Sequence, residues 1–386
     1  MKVISKTGIQ SGSLAQAKRI IIKIGSSLLI DDARGELRRP WLMALIEDIA
    51  ALQAAGKDVV LVSSGSVALG RRLLGLGRGK IYRLEQTQAC AACGQVHLMQ
   101  AYQQILEMHG LGAAQILLTM ANTENRQAYL SVRATLLSLL SFGTIPIINE
   151  NDTVARPTRR YGDNDRLAAR VAAMIGADCL VLLSDIDGLY SADPSVDPQA
   201  RFIPEIEDLT PDIIAMGGGS RSGLGQGGMR TKIEAAQIAL SAGCAMVIAQ
   251  GKDLHPLRAL MDGGKSSWFL PNVSPAAARK LWISGGLDTR GNLVIDDGAY
   301  RALQQGRSLL PVGVKQVGGT FMRGDLVRIL RQDGQEVARG LVAYASDEVS
   351  KIMGRHSDAF SALLGYRGQE EIVHRDDLAL LGGTHT

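Results

Sequence analysis

Between residue 20 and about residue 262, short β-branched and aliphatic runs recur at intervals that each leave room for a helix. They are RIIIKI (19–24), DVVLVS (58–63), AAQILL (113–118), TIPIIN (144–149), CLVLLS (179–184) and AMVIA (245–249). Parallel neighbours need a long crossover to return the chain, so this rhythm predicts an α/β fold with an open, mostly parallel sheet sandwiched by helices. The runs are apolar almost throughout rather than alternating, as strands covered on both faces should be. Ligands of such sheets bind beyond the carboxyl ends of the strands, and the residues following each run are therefore the first candidates for function.

The rhythm ends in MDGGKSSWFLPNVSPA (261–276), which mixes Gly, Ser and Pro without a long helix. The reading is a polar N-terminal extension over 1–17, an α/β domain over 18–268 and a second domain over 276–380. In the second domain KLWISG, GNLVIDDGA, SLLPVGVKQVGGTF, GDLVRILRQDGQEVARGLVAY and EEIVHRDDLAL read as short strands of a small, mostly β barrel. Asp333-Gly334 is a hairpin signal between two of them.

Composition narrows the functions available to 386 residues. Charged residues are 21% of the chain and the net charge is only +4, too weak a bias to point to nucleic acid or an anionic membrane. No apolar run reaches the roughly 18 residues of a spanning helix, and residues 1–17 lack the apolar stretch of a signal peptide. Four cysteines without such a signal point to a reducing, cytoplasmic setting. Cys90 and Cys93 form a C-x-x-C inside the Ala- and Gln-rich stretch EQTQACAACGQVHLMQAYQQ, which reads as small buried helix residues rather than redox or zinc chemistry.

The first run delivers Lys23 and then Gly25-Ser26-Ser27, a cation beside a turn whose N–H groups suit phosphate oxygens. The second ends in Ser63-Ser64-Gly65-Ser66, with hydroxyls for an anion or for capping a helix. The fourth ends in Asn149-Glu150-Asn151-Asp152, and a polar loop leads to Gly162-Asp163-Asn164-Asp165 at the start of an amphipathic helix. These amides and carboxylates can grip an amine, position lysines or serve a metal–nucleotide, while Asp163 can cap the helix. After Ser184-Asp185 the chain reaches a Gly-rich stretch, 217–229, that runs into a helix holding Thr231 and Lys232. Gly223, Gly225 and Gly228 match G-x-G-x-x-G, but no strand precedes them and Gln250 stands where an acid is needed, so this is not a Rossmann dinucleotide loop. No Gly-Lys-Ser/Thr closes it as a Walker loop either. What remains is a phosphate clamp of another design.

Taken together, IIKIGSSLL (21–29), VSSGSVALG (62–70), IPIINENDTVA (145–155), GDNDRLAA (162–169), LLSDIDGLY (182–190) and SGLGQGGMRTK (222–232) resemble, in order and spacing, the motifs of the amino-acid kinase superfamily and within it the glutamate 5-kinases. The C-terminal part is similar to their PUA domain. The resemblance implies ATP-dependent phosphorylation of the L-glutamate γ-carboxylate. It places Lys23 and Lys232 on the transferring phosphoryl with Asp165 orienting them. Ser64, Gly65, Asp152 and Asn164 would bind glutamate. Lys23, Gly25, Ser184, Asp185 and the run Gln226, Gly227, Gly228, Met229, Arg230, Thr231 and Lys232 would bind ATP, with Gly25 and Gly65 giving the phosphates access to backbone. It also implies Mg²⁺ held mainly by the ATP phosphates, proline as an inhibitor acting through 149–165, a homo-oligomer, and a downstream glutamyl phosphate reductase.

Two positions depart from the pattern: Gln226 stands where Thr is more usual, and Ser184 replaces a Thr but keeps the hydroxyl. The nearest competing functions are sibling kinases of acetylglutamate, aspartate, carbamate or a nucleoside monophosphate, against which the barrel and the two acidic-amide segments favour free glutamate. RNA binding, the activity PUA domains are chiefly associated with, is disfavoured. The net charge over 275–386 is only +1, and no aromatic-rich stacking surface is evident.

Overall fold

The computed structural model describes residues 14–31, 34–77, 82–154, 164–217, 228–286, 289–356, 360–366 and 368–381. The chain divides into two compact units, Met1–Pro275 and Ala276–Thr386. The first is built on eight strands: β1 Arg19–Ile24, β2 Asp58–Val62, β3 Ala113–Leu118, β4 Ile145–Glu150, β5 Cys179–Ser184, β6 Glu205–Ile206, β7 Ala245–Gln250 and β8 Ser266–Phe269. Their spatial order is β6-β8-β7-β5-β1-β2-β4-β3, parallel throughout except for the β7–β8 pair. The six apolar runs are thus β1 to β5 and β7, displaced by a residue at most at either end.

Helices α1 Arg39–Ala54, α2 Ser66–Leu73, α3 Leu84–Glu107, α4 Arg126–Ser141, α5 Asn164–Ile175, α6 Met229–Ser241 and α7 Pro256–Met261 cover the sheet. Period-two alternation divides the core. Ile20, Ile22 and Ile24 pack with α1 and α3, whereas Ile21 packs with α4, α5 and α6. Each buried isoleucine contributes about 2 kcal/mol of transfer free energy. Lys23 shares the face of Ile21, which turns its side chain towards α5 and α6.

β1 lies at the switch point, because its sequence successor β2 pairs on one side and β5 on the other. The carboxyl ends of these strands therefore open the crevice that such a sheet offers a ligand.

The C-x-x-C lies in α3, where α2 and α3 cross at backbone contact. A Cβ on Gly70 would sit 1.8 Å from the Cys90 carbonyl oxygen, and one on Gly94 would sit 1.8 Å from that of Ser66. Small residues are a packing requirement there. Cys90 is buried, and burial raises its thiol pKa, which keeps it protonated and unreactive.

Two readings of the boundary region are corrected. Residues 266–269 form β8, the antiparallel member of the first sheet, inside the stretch where the strand rhythm had ended. KLWISG is not a strand but the end of helix α8, Pro275–Gly285, because the run PAAARK before it favours helix and the segment buries only Ala278 and Ile283. The second unit includes β9 Gly291–Ile295, helix α9 Asp297–Gln304, β10 Val314–Gly319, β11 Leu326–Arg331, β12 Glu336–Leu341 and β13 Leu378–Leu380, the strands in the order β10-β9-β11-β12-β13, with short helices over Ser346–Ile352 and Phe360–Leu364. Gly334, at φ +83°, sits in the β11–β12 turn where Asp-Gly predicts it. Among the described residues no helix is long and apolar enough to cross a membrane.

Candidate active site

The carboxyl end of β1 and the first turns of α5 and α6 meet at one carboxylate. Asp165 is fully buried. Its Oδ1 lies 2.6 Å from Lys23 Nζ and its Oδ2 lies 3.0 Å from Lys232 Nζ. Both lysines are themselves buried, at 8% and 6% exposure. Alanines 168, 169 and 172 on α5 and 235, 236 and 239 on α6 are wholly buried, and such small residues let the two helices approach closely enough to share this ion triad.

Burial acts to raise the Asp165 pKa, but attraction and hydrogen bonding from Lys23 and Lys232 outweigh it and hold the carboxyl at about 2. The helix dipole at the start of α5 favours the same charge. Two cations and one anion leave a net charge of +1 in nearly dry surroundings, where a cation acts strongly on an incoming anion. Thr231, expected on the nucleotide, donates its hydroxyl to Asp165 Oδ2 at 3.2 Å or to the Gly228 carbonyl at 2.9 Å.

Beside the triad runs a polar network at the ends of β2 and β4. The Asn164 amide nitrogen donates to the Ser63 carbonyl, to Ser64 Oγ at 2.9 Å and to Asn149 Oδ1 at 2.9 Å. Asn149 in turn donates to Gln95 Oε1 at 2.9 Å. Ser63 Oγ meets the buried Tyr102 hydroxyl at 2.9 Å. Asn164 and Ser64, both expected on glutamate, thus also tie the strand ends to α5. Gly65 earns its identity from the backbone: its φ is +100°, and a Cβ would lie 2.9 Å from Ile30. Gly25 has ordinary φ, and a Cβ there would meet nothing closer than 3.5 Å.

A cavity of about 200 Å³ opens next to this network, lined by Ser66, Gln95, Gln115, Glu150, Asn151 and Asp152 among others. Asp152 is therefore beside a void, as a ligand-binding role requires. On the other side of β1, the Ser184 hydroxyl donates to Asp185 Oδ1 at 3.1 Å, and the Ser184 carbonyl accepts from Gly251 N–H at 2.8 Å. Asp185 is exposed. Gly228 precedes α6, Met229 begins it, and Arg230, largely exposed, donates from Nε to Glu234 Oε1 one turn along it at 3.0 Å. Gln226, Gly227, Gly223, Gly225 and the capping residue Asp163 lie outside the described residues.

Gln95 and Tyr102 carry no role in the sequence reading, and Asn149 enters it only as one member of the acidic-amide cluster. Gln95 and Tyr102 stand seven residues apart on one face of α3 whose intervening member Leu98 is fully buried. Two polar residues on an apolar helical face were the available signal.

The profile of the amino acid kinase family matches residues 18–250, and that of the PUA domain matches residues 291–364. The glutamate 5-kinase of Paramagnetospirillum magneticum is 56% identical over 369 residues, covering 96% of this chain and 99% of that protein. Those of Sinorhizobium fredii and Agrobacterium fabrum are each 55% identical, covering 95% and 96% of this chain and 93% and 94% of theirs. With a family profile spanning all six motifs and the sheet from β1 to β7, and relatives this similar over nearly their full length, the chain belongs to the amino acid kinase family and, within it, to the glutamate 5-kinases.

Proposed function

We propose that the chain transfers the terminal phosphoryl group of ATP to the γ-carboxylate of L-glutamate, giving L-glutamyl 5-phosphate for proline biosynthesis. The observation that carries this reading is the buried Lys23–Asp165–Lys232 triad at the switch point of the sheet. In the reaction a carboxylate oxygen forms a bond to the γ-phosphorus, the bond to the β,γ-bridging oxygen breaks, and ADP departs with its electron pair. The acceptor, with a pKa near 4.3, is already ionised at neutral pH, so no general base is needed. The chain's task is to bring two anions together and offset the charge on the phosphoryl oxygens, which positioned cations do without reorganising at the moment of transfer.

In this reading Lys23 and Lys232 touch the phosphoryl group. Asp165 acts through them: it keeps two buried ammonium groups from repelling one another and sets where each Nζ stands. Ser184, Asp185 and the segment 226–232 take the nucleotide, whose phosphates carry Mg²⁺ as part of the substrate. The chemistry of the cavity supports the acceptor assignment, since Asp152 and Glu150 offer anions to an amino group while Ser66 and the amides offer polar partners to a carboxylate. The reading extends to proline as a competitor near the 149–165 segment, to a homo-oligomer, and to a reductase that consumes the labile acyl phosphate.

The deciding assay is ATP-dependent hydroxamate formation in hydroxylamine with glutamate, acetylglutamate or aspartate, each with and without proline. Product from glutamate alone, falling with proline, is expected. Product from acetylglutamate or aspartate instead would overturn the acceptor assignment, and no product from any of the three would overturn the kinase reading.

A further inference from the structure

Three side-chain amides form a chain of fixed direction between the cavity and the ion triad. The Ser63 carbonyl can only accept, so the Asn164 group facing it is the NH₂. The Glu150 backbone N–H can only donate, so the Asn149 atom facing it at 2.9 Å is Oδ1. Asn149 therefore turns its nitrogen to Gln95, which answers with Oε1 at 2.9 Å. With the oxygen of Gln95 committed, its NH₂ is left as a pair of donors. Gln95 is 9% exposed, and what is exposed lines the cavity. Among the described residues no acceptor takes its Nε2 hydrogens. Its Nε2 is not sealed among the buried side-chain atoms without a partner, and Gln95 lines the cavity, so an oxygen of a ligand in the cavity can accept from this donor.

We propose that Gln95 helps select and position the phosphoryl acceptor. Its Nε2 donates to a carboxylate oxygen of the amino acid in the cavity, while its Oε1 holds Asn149, and through it Asn164, in place. Asn164 is the first residue of α5 and Asp165 is the second, so the chain of amides ends next to the carboxylate that sets both lysines. The same cavity presents Glu150 and Asp152. An amino acid brings one cationic and one anionic group, and the Gln95 donors suit the anionic one.

This inference rests on the glutamate kinase reading, and the experiment separates the two. Wild type, Gln95→Glu and Gln95→Met are prepared as full chains, their folding is checked by circular dichroism and thermal melting, and glutamate and MgATP are varied independently. Gln95→Glu keeps an acceptor for Asn149 and loses both donors, so the glutamate KM should rise about tenfold or more, with the ATP KM within about twofold of wild type. Gln95→Met loses both ends of the relay and should raise the glutamate KM and lower kcat about tenfold as well. Active wild type with an unmoved glutamate KM in either folded variant overturns the role of Gln95 alone, as does an equal rise in both KM values, which a merely structural residue would cause. Wild type without glutamate-dependent turnover overturns the kinase reading and this inference with it.

Discussion

Replacing Asp165 by Asn tests the triad directly, because it preserves shape and removes only the charge between two buried ammonium groups. At neutral pH the carboxylate holds its pKa at about 2 against an ordinary 3.8. That difference corresponds to about 2 kcal/mol of folding stability linked to its ionisation. The pKa is depressed in the folded state, so the contribution is fully present above pH 4 and is lost as pH falls from about 4 towards 2. Asp165→Asn also leaves Lys23 and Lys232 buried without their counter-ion, a loss of about 3–5 kcal/mol for a broken buried pair. Urea unfolding without nucleotide should therefore show the variant about 3 kcal/mol less stable at pH 7. The gap between wild type and variant should narrow by about 2 kcal/mol between pH 5 and pH 2. Using the gap cancels the titration of every other carboxylate. MgATP should stabilise the variant more than the wild type, since phosphate oxygens replace the missing anion. A gap that stays constant over that pH window, or a variant as stable as wild type at pH 7, would refute the argument that attraction to the lysines overcomes the desolvation of Asp165.

Lys232→Ala leaves the Lys23–Asp165 pair in place, so the protein should fold while kcat falls about 100-fold or more. Its role on the phosphoryl group is wrong if steady-state turnover stays within threefold of wild type. Gly94→Ala drives a methyl into the Ser66 carbonyl at 1.8 Å and must push α2 from α3, at a cost of about 3 kcal/mol. Ser66 and Gln95 both line the cavity, so the glutamate KM should rise too. A thermal melt superimposable on wild type would show that the helices accommodate the methyl.

The strand runs could be read from sequence because a strand buried on both faces needs an unbroken apolar segment, which few other structures require. The ends of those runs made Lys23, Ser64, Asp152 and Ser184 candidates for a different reason, that ligands of such sheets bind beyond the carboxyl ends of the strands. KLWISG misled because Trp and Ile favour strands, whereas its state was set by the helix already begun at Pro275. SSWF escaped notice because a strand of only four residues, set between Gly264 and Pro271, carries too little periodicity, and its place in the sheet depends on pairing with β7 and β6, which local pattern does not encode.

The order of the motifs, the alternation that turns Lys23 to the face of Ile21, and the small residues where α2 meets α3 were determined by the sequence itself, since periodicity and side-chain size are local properties. That Asp165 accepts both lysines and Thr231, and that Gln95 is joined through Asn149 to Asn164, was decided only by the tertiary structure. These partners are separated by 15 to 142 residues along the chain, and a buried charge or amide has its chemistry set by whichever groups the fold brings within about 3 Å of it.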